Sequence, residues 1–158
     1  MDVRHGFYGA LAMQMPFVER PSIETMATDG RSLFYNPEFV LSLSEPVLCG
    51  VLAHEVEHPA RGHHVRRGTR DPREWNVACD LAINPDLLAA GFRLPDGALY
   101  DKEFVGMSAE SIYAARVKQR QNGQQQQPGQ QQPGNGPQQP SGGGQQPGGP
   151  QQQQPGGQ

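Results

Sequence analysis

His54 and His58 bracket a carboxylate in the run His54-Glu55-Val56-Glu57-His58, the pattern His-Glu-x-x-His. Residues four apart on an α-helix share one face, so both imidazoles can reach a single ion. Zinc takes imidazole nitrogen readily, and a glutamate beside the two histidines can draw a proton from a water that the metal activates. His54 and His58 are therefore candidate zinc ligands and Glu55 the candidate general base. Glu57, roughly opposite Glu55 around the helix, is expected to face solvent.

A catalytic zinc needs a third protein ligand and an open position. Asp80 is the first choice. It lies in Trp75-Asn76-Val77-Ala78-Cys79-Asp80-Leu81-Ala82-Ile83-Asn84, framed by apolar residues that make an unpaired carboxylate costly. His64 is the rival, six residues beyond His58. That spacing serves zinc peptidases whose chain turns after the helix, but they carry glycine three residues after the second histidine. Here that position is Arg61, and Gly62 follows it. His63 is weaker, because its side chain must return across fewer residues; either of this pair can instead support a ligand from behind, face solvent, or cap a helix C-terminus. Asn76, Asp80 and Asn84 are spaced by four, so the two amides can orient Asp80 or a histidine. Trp75 reads as a core anchor.

These residues need two helices. Ser44 is placed to cap the first, which runs from Glu45 to about His58 with Leu48, Leu52 and Val56 as its apolar stripe and Val51 widening it. Pro59 should kink it, and Gly68 and Thr69 should end any continuation. Asp71, Pro72 and Glu74 form a capping pattern for the second, from Arg73 to about Leu81, with Asn84-Pro85 ending or kinking it. Upstream, Phe7 to Met15 reads as the end of a helix interrupted by Pro16 and Pro21. Met26-Ala27 and Leu33-Phe34-Tyr35 around Asp29-Gly30-Arg31 read as a hairpin. Pro37 to Leu43 is a short helix, and Ser108 caps a last one ending near Arg120. The expected class is α+β: a small, mainly helical domain with a short hairpin or small sheet, over residues 1–120.

Residues 121–158 are almost wholly Gln, Pro and Gly and contain no charged residue. Such a segment cannot bury enough apolar surface to offset ordering entropy and is expected to be a disordered tail or linker. The formal net charge of −3 gives no reason to expect nucleic acid or an acidic membrane as partner. Arg61, Arg66, Arg67, Arg70 and Arg73 read as a solvated helix end and loop. Cys49 and Cys79 lack metal-binding CxxC spacing and read as buried free thiols. No apolar leader follows Met1-Asp2-Val3-Arg4-His5 and no run approaches membrane-spanning length, so a soluble cytoplasmic protein is the simplest expectation.

The chain resembles the putative metallopeptidase domain family, found ahead of a von Willebrand A-like domain in bacterial proteins. The resemblance rests on Ala27-Thr28-Asp29-Gly30, Leu33 to Pro37, Gly50 to Val56 with His58, and Gly62-His63-His64. It continues through Arg66-Arg67-Gly68, Asp71-Pro72, Trp75-Asn76, Ala78, Asp80, Ile83-Asn84, Gly91-Phe92, Leu94-Pro95 and Gly106 to Tyr113. It implies a zincin-like fold, zinc on His54 and His58, Asp80 as third ligand and Glu55 as base. It also implies a peptide or protein substrate and a von Willebrand A-like domain or another protein as partner. The chain departs from relatives in lacking most of their N-terminal helical region and in stopping within the Gln/Pro/Gly segment.

The expected reaction is peptide-bond hydrolysis, with a strand at Leu33 to Asn36 offering its edge to an extended substrate. The alternative is a non-catalytic metal-binding domain for protein interaction. A fourth protein ligand such as His63 or His64 would favour that alternative.

Overall fold

The computed structural model describes residues 3–125. The expected disordered tail lies outside them from residue 126 on. The element order is α1 (Val3–Ala12), β1 (Phe17–Glu19), β2 (Met26–Thr28), β3 (Leu33–Tyr35), α2 (Pro37–Ser42), α3 (Glu45–Ala60), α4 (His63–Arg66), α5 (Pro72–Ala89), a 3₁₀ turn (Lys102–Phe104) and α6 (Ala109–Gln125). The class is α+β, mainly helical with one small sheet. No helix among the described residues is long and apolar enough to cross a membrane.

The sheet order is β1-β3-β2. β2 and β3 form the expected hairpin, with Ala27 opposite Phe34. Asp29 shapes its turn by accepting from the backbone N–H groups of Arg31 and Ser32, both at 2.8 Å, and Gly30 takes φ 87° there. β1 is an addition to the sequence reading. Phe17-Val18 pairs in parallel with Leu33-Phe34, so β3 is the central strand, flanked on both sides. The substrate edge expected at Leu33 to Asn36 is therefore closed, and the open edge on the site side belongs to β2.

α3 and α5 are the middle of the domain. Ala53 from α3 packs with Ile83 and Leu87 from α5 and with Phe92. Val56, Ala12 and Leu33 join α3 to α1 and the sheet. On the other side Trp75, Cys79, Ala82, Phe104 and Ile112 bind α5 to α6.

Several boundaries differ from expectation. α3 continues through Pro59, whose missing N–H falls in the last turn where only one intrahelical bond is lost. The break comes at Gly62, left-handed at φ 64° and ψ 29°, a conformation that costs glycine little. α5 is one helix through Asn84-Pro85 to Ala89. Burial of Ile83, Asn84, Pro85 and Leu87 outweighs the lost hydrogen bond. α6 continues past Arg120 to Gln125. Ser44 occupies the N-cap position of α3 but makes no side-chain cap bond, whereas Asp71 caps α5 by accepting from Arg73 and Glu74.

Candidate metal centre

His54 and His58 project from one face of α3, and Asp80 meets them from α5. The three ligand-type atoms make a nearly equilateral triangle. His54 Nε2 lies 3.1 Å from His58 Nε2, and Asp80 Oδ1 is 3.4 Å from the first and 3.3 Å from the second. Four ligands set tetrahedrally at zinc bond lengths of about 2.0–2.1 Å stand about 3.3 Å apart. The triangle has the edge of one face of that tetrahedron.

Protonation sharpens this. Asn84 donates its amide to the carbonyl of Leu99 at 2.9 Å, which turns its oxygen toward His54. That oxygen lies 2.8 Å from His54 Nδ1, so Nδ1 carries the proton and Nε2 presents a bare lone pair. His58 presents Nε2 in the same way when its Nδ1–H donates to Nδ1 of His63, 3.3 Å away. Asp80 Oδ2 accepts from Asn76 at 3.3 Å. Asp80 Oδ1, by contrast, is buried at ion-pair distance from two imidazoles yet accepts no hydrogen bond of good geometry. A buried carboxylate oxygen facing two nitrogen lone pairs is unfavourable without a shared proton or a cation. The residues present fit a divalent ion. The arrangement resembles a zincin-type metal site.

Electrostatics follow from the crowding. Without a cation, protons relieve the same conflict: burial alone would raise the Asp80 carboxyl, but hydrogen bonds and charge from protonated His54 and His58 outweigh it and hold it at about 2. Burial disfavours charge on His54, yet Asp80 raises its pKa overall. Burial raises the pKa of Glu55, which is 8% exposed, against the pull of His54 and His58. Burial, then His58, Arg66 and Arg61, lower His63 to about 4, so it is neutral near pH 7.

His63 and His64 separate clearly. Gly62 turns the chain so that His63 is buried, its ring between His58 and Trp75, while Trp75 Nε1 donates to its carbonyl at 2.8 Å. Trp75 is thus a core residue, as expected. His58, His63 and Cys79 form a second group with ligand atoms within 4.8 Å of one another. His64 is exposed at the cleft rim against Gly30, where an added Cβ would lie 2.8 Å from its ring. Cys79 is buried and Cys49 half-buried, both as free thiols.

Glu57 corrects the sequence reading. It is buried, not solvent-facing, because α1 packs on that side of α3. Tyr8 donates its hydroxyl to Glu57 Oε1 and Arg61 donates to Oε2. Arg61 also reaches Asp86 at 3.0 Å. The arginine cluster is largely engaged: Arg66 forks onto Glu110 at 2.9 and 2.6 Å, and Arg70 lies over Trp75.

A family model described as "Putative metallopeptidase domain" matches residues 1–157. The chain belongs to this family. No curated protein and no solved structure matches it. The putative metallopeptidase domain described here therefore carries its His-Glu-x-x-His face and Asp80 in one cluster. Asn84 and His63 hold the far nitrogens of that cluster. Sequence spacing pointed to Asn84 as an orienting amide. A supporting role was open to both His63 and His64, and the turn at Gly62 brings His63 to His58.

Proposed function

We propose that this domain is a zinc-dependent peptidase, with His54, His58 and Asp80 holding the ion and Glu55 as general base. The observation that carries this reading is the triangle of His54 Nε2, His58 Nε2 and the buried Oδ1 of Asp80, with Oδ1 3.3–3.4 Å from both nitrogens. A zinc ion held by His54, His58 and Asp80 would supply Lewis acidity for the scissile carbonyl and would lower the pKa of water. Glu55 lines both clefts that open beside the cluster. Its carboxylate takes the proton of the attacking water and returns it to the leaving amine nitrogen. Asn84 and His63 keep the imidazoles in the tautomer with Nε2 free. A von Willebrand A-like domain is the partner class that the family resemblance suggests.

The test is zinc content of metal-replete protein with Asp80→Ala and His64→Ala, followed by peptide hydrolysis with Glu55→Gln as control. One zinc per chain, lost in Asp80→Ala and kept in His64→Ala, together with hydrolysis abolished by Glu55→Gln, is the expected result. Zinc retained without Asp80 but lost in His63→Ala or Cys79→Ala would move the ion to the second group and favour a non-catalytic metal-binding domain. No zinc in the folded protein would sink both readings.

A further inference from the structure

Two clefts meet at the metal cluster, sharing Thr25, Met26, His54, Glu55 and Asp80. Their walls differ in chemistry. The larger, about 490 Å³, continues past Thr28 and is faced by His63, His64, Arg67 and Asn76. The smaller, about 330 Å³, is walled by Phe39, Val51, Leu94, Pro95, Ala98 and Leu99. Its one acidic residue away from the cluster is Asp96, exposed on the rim.

The wall of the smaller cleft is anchored. Asn84 donates to Leu99 O while its oxygen meets His54, so one side chain fixes both the apolar wall and a metal-facing imidazole. At the other end of the segment, the Arg93 carbonyl crosses directly over Gly50 of α3. Between the two clefts runs β2. Asn36 N–H donates to Thr25 O at 2.8 Å, and Ala27 stands opposite Phe34. The alternation of an antiparallel ladder then turns the backbone groups of Met26 and Thr28 to the open edge. An extended peptide laid along that edge passes from one cleft into the other across the metal cluster.

We propose that the smaller cleft is the specificity subsite of this domain, taking a leucine- or phenylalanine-sized apolar side chain adjacent to the scissile bond. This rests on the peptidase reading. Selection acts on one side of the bond only, because the opposite cleft is polar and wide. Burying an apolar side chain against these walls favours Leu, Phe and Met over glycine by one to two orders of magnitude in kcat/KM. Acidic side chains are rejected, since Glu55 and Asp96 border the same space.

The experiment digests a mixed peptide library with the zinc-loaded full chain, maps the cut sites by mass spectrometry, and repeats this with Ala98→Phe and Leu99→Ala. In parallel, zinc-loaded Glu55→Gln is titrated with fluorescein-labelled hexapeptides differing only as Leu or Gly at one position. Expected are an apolar residue beside the cut on one side, a shift toward Gly and Ala in Ala98→Phe, and weaker discrimination in Leu99→Ala. Cleavage without that preference, or a preference that neither variant moves, overturns the subsite and leaves the peptidase reading intact. If wild type cuts nothing, tenfold or tighter binding of the Leu peptide to Glu55→Gln upholds the subsite and sinks the proposed reaction. No discrimination in binding overturns the subsite as well.

Discussion

The carboxamide oxygen of Asn84 lies 2.8 Å from Nδ1 of His54, one helix setting the tautomer of a residue on another. The amide's own donation to Leu99 prevents it from flipping. An imidazole so held presents Nε2 to the cluster without spending binding energy on reorientation. Asn84→Ala is expected to weaken zinc binding by about 10–100-fold, measured by competition with a chromogenic chelator. Asn84→Asp keeps the acceptor and should lose less. Equal affinity in wild type and Asn84→Ala would remove the orienting role.

Glu57 shows how α1 is fastened. Its two oxygens are divided between Tyr8 and Arg61, and burial together with the Glu57 hydrogen bond pushes the Tyr8 hydroxyl up to about 12. Removing the donor leaves a buried carboxylate half satisfied. Tyr8→Phe should cost about 1–2 kcal/mol in urea unfolding, while zinc content stays at the wild-type value. An unchanged urea midpoint would mean that Arg61 alone satisfies Glu57.

Gly50 is a packing constraint, not a flexible joint. An added Cβ would overlap the carbonyl oxygen of Arg93, and the backbone there has no flexible tip to swing aside. Although alanine has the higher helix propensity, Gly50→Ala should destabilise by about 1–3 kcal/mol in calorimetry or denaturant unfolding. A stabilised variant would show that the Arg93–Leu94 segment relaxes freely.

Acid should release the Arg66–Glu110 contact. Burial nudges the Glu110 carboxyl upward, but its hydrogen bonds to Arg66 win and lower it overall. A carboxyl with a lower pKa in the folded state adds stability above its unfolded pKa and loses it as pH falls through the folded one. Both partners are partly exposed, so the contribution is at most about 1 kcal/mol. Glu110→Gln should therefore be less stable than wild type near neutral pH, and the gap should close as pH falls through the lowered folded-state pKa of Glu110. A gap independent of pH would mean that packing, and not charge, holds α6 at this point.

Local chemistry in the chain foretold much of the site. The i, i+4 histidines, the carboxylate of Asp80 among apolar neighbours, and the Asp29-Gly30 turn are short-range signals; the structure brings the two histidines and Asp80 into one cluster and forms the turn. What escaped depends on distant partners. β1 is three exposed residues that are a strand only because β3 lies beside them. Glu57 looks solvent-facing until α1 covers it. Asn84-Pro85 breaks a helix by propensity, and only the packing of Ile83 and Leu87 against Ala53 keeps α5 whole. The open edge moved from β3 to β2 because pairing of β1 with β3 joins segments well apart in the chain, which periodicity does not report.

The unmatched oxygen of Asp80 has a meaning for the life of the whole chain. Every core cluster includes residues of α3 or α5, and the same oxygen sets two lone pairs and a negative charge against each other where those helices meet. An ion bound there removes that conflict, and it does so only in the folded chain. Zinc at a thousand times its dissociation constant would add about 4 kcal/mol to folding, a large share of what holds a small domain together. The amount of native protein would then rise and fall with free metal, and scarcity would be felt as unfolding and turnover before it was felt as lost chemistry.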